Sequence, residues 1–266
     1  MGWVLGDFCL AQEYRSLGPA LELQRACLEG MQPPFDFCYD FPSKSMMAVY
    51  TRLGVKQTGT MVRWAKPLRV EEKLEPLVRS KSAARALGRI GNAVLAARGW
   101  KGHKDACKVA LHQGLCSEEF DILDTELSKL PGVRAQKTAA YLNWRYLARP
   151  RQTHEILVAR RNSVLVGYAV IRNESENPRI VDLNSIEDPA VVANLIDASV
   201  SSMRVRRAKA VHLVSGEDHP WSPIFERTGF RRRETSPLVV VARKGATIGE
   251  TEFKTNFYLM EGERDS

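Results

Sequence analysis

The 266-residue chain contains no C-x-x-C pair, and its five cysteines (Cys9, Cys27, Cys38, Cys107 and Cys116) are odd in number and scattered. That pattern argues against a zinc ribbon or a disulfide framework and predicts free thiols that pack as small apolar groups. The five histidines, His103, His112, His154, His212 and His219, show no metal-ligand spacing, so no metal is expected. No stretch approaches the ~18 consecutive apolar residues that a membrane span requires. The opening MGWVLGDFCLAQEYR lacks a basic leader, and Asp7 and Glu13 interrupt its apolar run. It therefore reads as a poor signal peptide, and a cytoplasmic location is expected.

Charge of one sign is scarce in one place. Between Arg63 and Lys104 there are eleven Lys/Arg against three Asp/Glu, which accounts for the whole formal net charge of +8. Such a stretch is either a solvated helix face or a surface for an anionic partner, whether a phosphate-bearing ligand, an anionic lipid surface or nucleic acid. No nucleic-acid motif accompanies it.

The remaining signals are those of a soluble α/β chain. Trp3 to about Ala11 reads as a short buried strand. A turn at Arg15, Ser16 and Gly18 follows, then a helix from about Pro19 to Glu29, with proline at a first-turn position that needs no N–H partner. Phe35–Phe41 predicts a strand, Ser43–Leu53 a helix closed by Gly54, and Val55–Arg63 a strand. Leu74 to about Arg98 is helical in pattern and basic. From Phe120 the chain begins again: a helix at Thr138–Tyr146, a hairpin at Glu155–Arg161 and Val164–Arg172 around Asn162-Ser163, and a strand at Ile180–Asn184. A helix at Pro189–Val205, a strand at Ala210–Val214, a short helix at Trp221–Thr228 and a strand at Pro237–Ala242 complete it. The first half thus repeats only the closing β–α–β–α–β of the second. The expected organisation is a partial lobe at 1–70, a basic helical connector at 71–119 and a second lobe at 120–266.

Arg15-Ser16-Leu17-Gly18-Pro19-Ala20 lies between a strand and a helix. Unpaired N–H groups and the helix dipole favour an anion at such a start, glycine permits close backbone approach, and arginine adds charge-assisted hydrogen bonds. The segment resembles the Q/R-x-x-G-x-G/A signature of the GNAT acetyltransferase superfamily, matched by Arg15, Gly18 and Ala20. Pro19 departs from it by removing one backbone donor. Ala48-Val49-Tyr50-Thr51-Arg52-Leu53-Gly54-Val55 resembles that family's A-x-x-F/Y-Y-x-x-x-G-F segment.

The resemblance implies two tandem acyl-CoA N-acyltransferase lobes of α/β (α+β) class, the first lacking its N-terminal strands. It implies acyl-CoA as co-substrate, held by Cys9, Leu10, Ala11, Arg15, Ser16, Leu17, Gly18, Pro19 and Ala20. It implies Tyr50 as the acid that protonates the departing thiolate, a backbone N–H near Cys9–Ala11 for the oxyanion, and direct attack by an amine of a small molecule or sugar. Asp7, Glu13 and Asp40 are the candidate bases.

In the second half Ile224–Phe230 resembles the family's closing helix and G-F element. Yet Asp182, Glu187 and Asp188 stand where the phosphate loop would be, and would repel a pyrophosphate. The aromatic segment Tyr141–Tyr146 and the tail 256–263 are similar to GNAT proteins of surface-polysaccharide clusters. Two lobes also resemble Fem-type aminoacyl transferases. Three explanations of the short first lobe stand open: a fragment of a longer chain, a sheet completed by the second lobe, or a non-catalytic relative acting as a scaffold. The acyl group, the acceptor and the oligomeric state are not encoded in these motifs.

Overall fold

The computed structural model describes residues 1–6, 8–69, 106–148, 154–174, 178–246 and 257–264. Its strands are β1 (Gly2–Val4), β2 (Phe37–Asp40), β3 (Gly59–Pro67), β4 (Lys108–Leu111), β5 (His154–Arg161), β6 (Val164–Arg172), β7 (Arg179–Ser185), β8 (Ala210–Gly216) and β9 (Arg231–Ala242). Its helices are α1 (Leu17–Glu29), α2 (Lys44–Arg52), α3 (Glu118–Ser128), α4 (Ala139–Leu142), α5 (Pro189–Val205) and α6 (Ser222–Arg227). A π turn continues α4 through Asn143–Leu147.

The nine described strands form one mixed sheet in the order β1-β2-β9-β3-β8-β7-β6-β5-β4. Strands cross over between the halves. β9, from the second half, pairs antiparallel with β2 of the first. β3, from the first half, pairs antiparallel with β8 of the second. β3 and β9 pair with each other at the centre. On either side of that pair lies the same unit: parallel β1 and β2 joined through α1, and parallel β7 and β8 joined through α5. The repeated β–α–β–α–β order is therefore built as a two-fold-like arrangement in which each half donates its last strand to the other. Of the three explanations for the short first lobe, a sheet completed by the second half is the one this pairing describes.

Burial explains the apolar runs. Along β5, Leu157 and Ala159 face the core around α5, while Ile156 and Val158 face α3 and α4. A sheet covered on both faces reads as nearly continuous apolar sequence, as Glu155–Ala159 and Val164–Ile171 do. The α5 core gathers Val191, Val192, Leu195, Ile196, Val200 and Met203 against Trp64, Leu213, Phe225 and Phe230. Each such side chain contributes about 1.5–3 kcal/mol when fully buried. Trp64 keeps its indole N–H satisfied by donating to Ser215 Oγ at 3.0 Å.

Several boundaries moved. β1 is shorter than the expected front strand, because its ladder ends at Val4↔Tyr39. β3 starts four residues later than expected, at Gly59, and β9 extends back to Arg231 because it serves both halves. β4 lies inside the expected 71–119 connector yet pairs with β5, so the second half's sheet begins before residue 120. α3 carried no expectation at all. The hairpin turn holds, with Asn162 and Ser163 both at positive φ (49° and 68°). Gly54 follows α2 at φ 78°, as a C-terminal glycine. The basic helical pattern at Leu74–Arg98 lies outside the described residues. Of the basic stretch, Arg63, Lys66 and Arg69 are described; Lys66 is buried, while Arg63 and Arg69 are partly exposed. Arg63 pairs with Glu234 at 2.5 Å, and Lys66 donates to Thr228 O at 2.6 Å.

Candidate functional site

Each half contains a wedge where its parallel strand pair diverges, and the two wedges differ. In the second half, β7 and β8 pair only at Arg179↔His212 and Ile180↔Leu213. Beyond that point the tail, residues 257–264, enters the gap. Met260 bridges Ser215, Gly216 N–H donates to Leu259 O at 2.9 Å, and Tyr258 N–H donates to Val133 O at 3.0 Å.

The tail is anchored by buried charge. Lys137 pairs with Asp182 at 2.5 Å and with Glu263, and Tyr146 donates to Asp182 at 3.1 Å. Burial depresses the Lys137 ammonium, but Asp182 and Glu263 outweigh it and raise it well above its usual value. The entrance of α5 is likewise engaged. Asp188 accepts from Ala190 N–H at 2.9 Å and pairs with Arg161, and Glu187 accepts from Tyr258. The three acids expected to repel a phosphate thus have internal partners.

The first half's wedge is open. After Leu5 N–H donates to Tyr39 O at 2.8 Å, the chain from Gly6 leaves β2. The gap between them is a cleft of about 730 Å³. Leu5, Gly6, Phe8 and Leu10 line one side, Asp40, Phe41 and Pro42 the other. Arg15 and Ser16 stand at its rim, and Ala20, Gln24 and Met46 form its floor.

The start of α1 is bare. Ser16 occupies the cap position in extended backbone, makes no side-chain cap bond, and no acid lies in the first turn. The N–H groups of the first turn therefore keep their affinity for an anion. Pro19 falls in that turn, and a Cβ on Gly18 would meet nothing within 4 Å. Arg15 Nε donates to Leu10 O at 3.1 Å, which ties the arginine to the cleft wall.

Behind this opening lies a polar triad. Tyr50 is fully buried; its phenol donates to Asp40 Oδ2 at 2.7 Å and accepts from Gln24 Nε2 at 3.0 Å. Burial raises the Asp40 carboxyl above its usual range, against the lowering effects of the Tyr50 hydrogen bond, the Phe41 amide and Arg264. Burial and Asp40 together push the Tyr50 phenol far above its ordinary value.

The expected site residues divide accordingly. Leu10, Arg15, Ser16 and Ala20 line the cleft. Leu17, Gly18 and Pro19 form the first turn of α1 beside it. Cys9 and Ala11 are exposed and outside its lining, and Glu13 is exposed in the 3₁₀ turn Gln12–Tyr14. Asp7 lies outside the described residues. Tyr50 sits one layer beneath the cleft surface, with its proton directed at Asp40. Gln24 and Arg264 were missed. Gln24 had a signal: it is a polar residue on the α1 face otherwise formed by Leu21 and Leu28, and it is only 2% exposed. Arg264 had none, because only folding brings the tail to the first half. No three-residue group of His, Cys, Asp and Glu able to hold a metal occurs among the described residues.

No family model matches the chain, and no curated protein matches it in sequence. Solved structures do. A GCN5-related N-acetyltransferase from Anabaena variabilis aligns with a TM-score of 0.59 at 13% identity, over 87% of this chain and 52% of its own. One from Kribbella flavida aligns at 0.52 and 14% identity, over 89% and 51%. A tandem GNAT protein from the clavulanic acid biosynthesis pathway aligns at 0.50 and 13% identity, over 84% and 67%. The chain spans about half the length of the first two. It has the GNAT fold, here a mixed α/β fold with one large sheet, as its likeness to GNAT structures including a tandem one shows.

Proposed function

We propose that the chain transfers an acyl group from acyl-CoA to an amine of a small molecule or sugar, and that the first half's cleft is where it does so. The observation that carries this reading is the contrast between the wedges. One is filled by the protein's own tail and its helix start is capped by Asp188. The other is open, its helix start is uncapped and free of acids, and Arg15 stands beside it. The bare first turn suits the pyrophosphate, and the apolar walls of the cleft suit the pantetheine arm.

Asp40 is the base in this reading. It lines the cleft, whereas Glu13 does not, and burial raises its affinity for a proton. Tyr50 and Gln24 hold it in place, so Tyr50 acts as a positioning residue and not as the acid at the thiolate. The amine nitrogen bonds to the thioester carbonyl carbon and the C–S bond breaks. Of the two protons that the ammonium sheds, one goes to Asp40 and the other to the departing thiolate. Gly6, the residue after the last hydrogen bond to β2 (Leu5 N–H to Tyr39 O) and a lining residue of the cleft, offers its N–H to the developing oxyanion in place of the expected Cys9–Ala11.

Isothermal titration of the full chain with CoA tests the reading. Binding is expected, with a loss of at least tenfold in Arg15→Ala and in Gly18→Asp, where the new carboxylate has room to occupy the anion position. Folded protein that does not bind CoA, or variants that bind it as tightly, would leave a scaffold role as the better account.

A further inference from the structure

A second cavity, of about 250 Å³, adjoins the cleft and shares Phe41 and Arg264 with it. It opens on the face of β3, β8 and β9 crossed by the tail. Arg63, Arg179 and Arg264 line it together with Glu234 and Glu261. Resting on the acyl-transfer reading above, we infer that this cavity is the acceptor subsite and that the acceptor is a small amine carrying one carboxylate, of the amino-acid type.

The charges argue for a monoanion. Arg63 is committed, to Glu234 at 2.5 Å and to His212 Nδ1 at 2.7 Å. Arg179 spends Nη1 on Glu261 at 2.7 Å, and its Nε is buried without a partner. Arg264 forms no ion pair among the described residues, and its guanidinium lies 5.9 Å from the Phe41 ring centroid. Three arginines against two glutamates leave one net positive charge, which matches a carboxylate and not a phosphate dianion. A guanidinium fork also fits a carboxylate in a planar two-bond arrangement.

Position argues for the acceptor and not the acyl donor. Arg264 acts electrostatically on Asp40, which lines the neighbouring cleft. A molecule with its carboxylate on Arg264 and Arg179 therefore has its amine directed past Phe41 toward the base. The volume lies below the ~300–1,000 Å³ usual for ligand pockets, so it admits a small molecule and not a polymer segment.

The test uses the full chain without acyl donor. Saturation-transfer NMR is run with the twenty α-amino acids and, in parallel, their α-carboxamides. At least one acid is expected to bind, with its carboxamide at least tenfold weaker. Arg264→Ala should lose the acid by at least tenfold, while Arg264→Lys recovers part of it. Because Arg264 also lines the donor cleft, CoA affinity should fall in both variants by clearly less than affinity for the acid, and melting temperature should be unchanged. Equal binding of acids and carboxamides, no binding of any acid, or Arg264→Ala behaving as wild type overturns the inference. So does an equal loss of CoA affinity, which would assign Arg264 to the donor. If the acids bind as expected but CoA does not, the acyl-transfer reading falls and the carboxylate site stands.

Discussion

Asp40 and Tyr50 are joined by a 2.7 Å hydrogen bond in which the fully buried phenol donates to the carboxylate on the cleft wall. In the reading proposed above, this relation makes Asp40 the base and Tyr50 the residue that positions it. The Tyr50 proton is directed at Asp40, and Asp40 lines the cleft with a raised affinity for protons.

The pH–rate profile should show it. Asp40 must be ionised to act, so activity should fall as pH drops through its carboxyl, with the limb displaced above the ~3.9 of an ordinary aspartate. Asp40→Asn should lower kcat by about 10²–10⁴ and remove the limb. Tyr50→Phe should lower kcat less and move the limb to higher pH, because the lost hydrogen bond favours the ionised form. A limb that survives in Asp40→Asn would show that another group is the base.

The tail that fills the second wedge should behave as a structural part. Lys137→Met leaves Asp182 and Glu263 buried without their cation, a loss of about 3–5 kcal/mol by urea unfolding. Gly262→Ala should destabilise by about 1–3 kcal/mol, because a Cβ there would collide with the Tyr146 hydroxyl and reach Asp182 Cβ at 3.2 Å. Unchanged urea midpoints in both variants would mean that the wedge is not sealed this way.

His219 should make the fold acid-sensitive. It is buried among Trp221, Phe225 and Tyr258, and its Nδ1 accepts from Trp221 N–H, which leaves the ring neutral. Burial lowers its pKa to about 3. The unfolded chain takes up the proton near pH 6.5 and the folded chain does not. The histidine's contribution is therefore intact above pH 6.5 and is lost progressively as pH falls toward 3, at a limiting slope of about 1.4 kcal/mol per pH unit. His219→Gln should flatten that part of the stability profile in calorimetry at successive pH values. A parallel slope in wild type and variant would contradict it.

Much of the architecture was written in local patterns. The repeated β–α–β–α–β order, the Asn162-Ser163 hairpin, α5 from Pro189 to Val205 and the glycine after α2 all depend on neighbours within a few residues. Periodicity, turn chemistry and capping report such neighbours directly. The bare helix start at Arg15–Ala20 was legible for the same reason.

The exchange of β3 and β9, the sealing of one wedge and the presence of Asp40 but not Glu13 on the cleft wall belonged to the tertiary structure alone. Strand pairing is made by backbone groups that every residue carries, so β9 bears no mark of lying beside β2. Lys137 meets Asp182 across 45 residues, and Arg264 reaches a cleft formed near the N-terminus. Long-range charge pairs and shared cavities are set by packing, which has no period in the sequence. The sequence by itself determined most of the strands and helices, though not β4 or α3, and the strand–turn–helix setting of Arg15–Ala20. Folding decided which wedge the tail fills and which it leaves open.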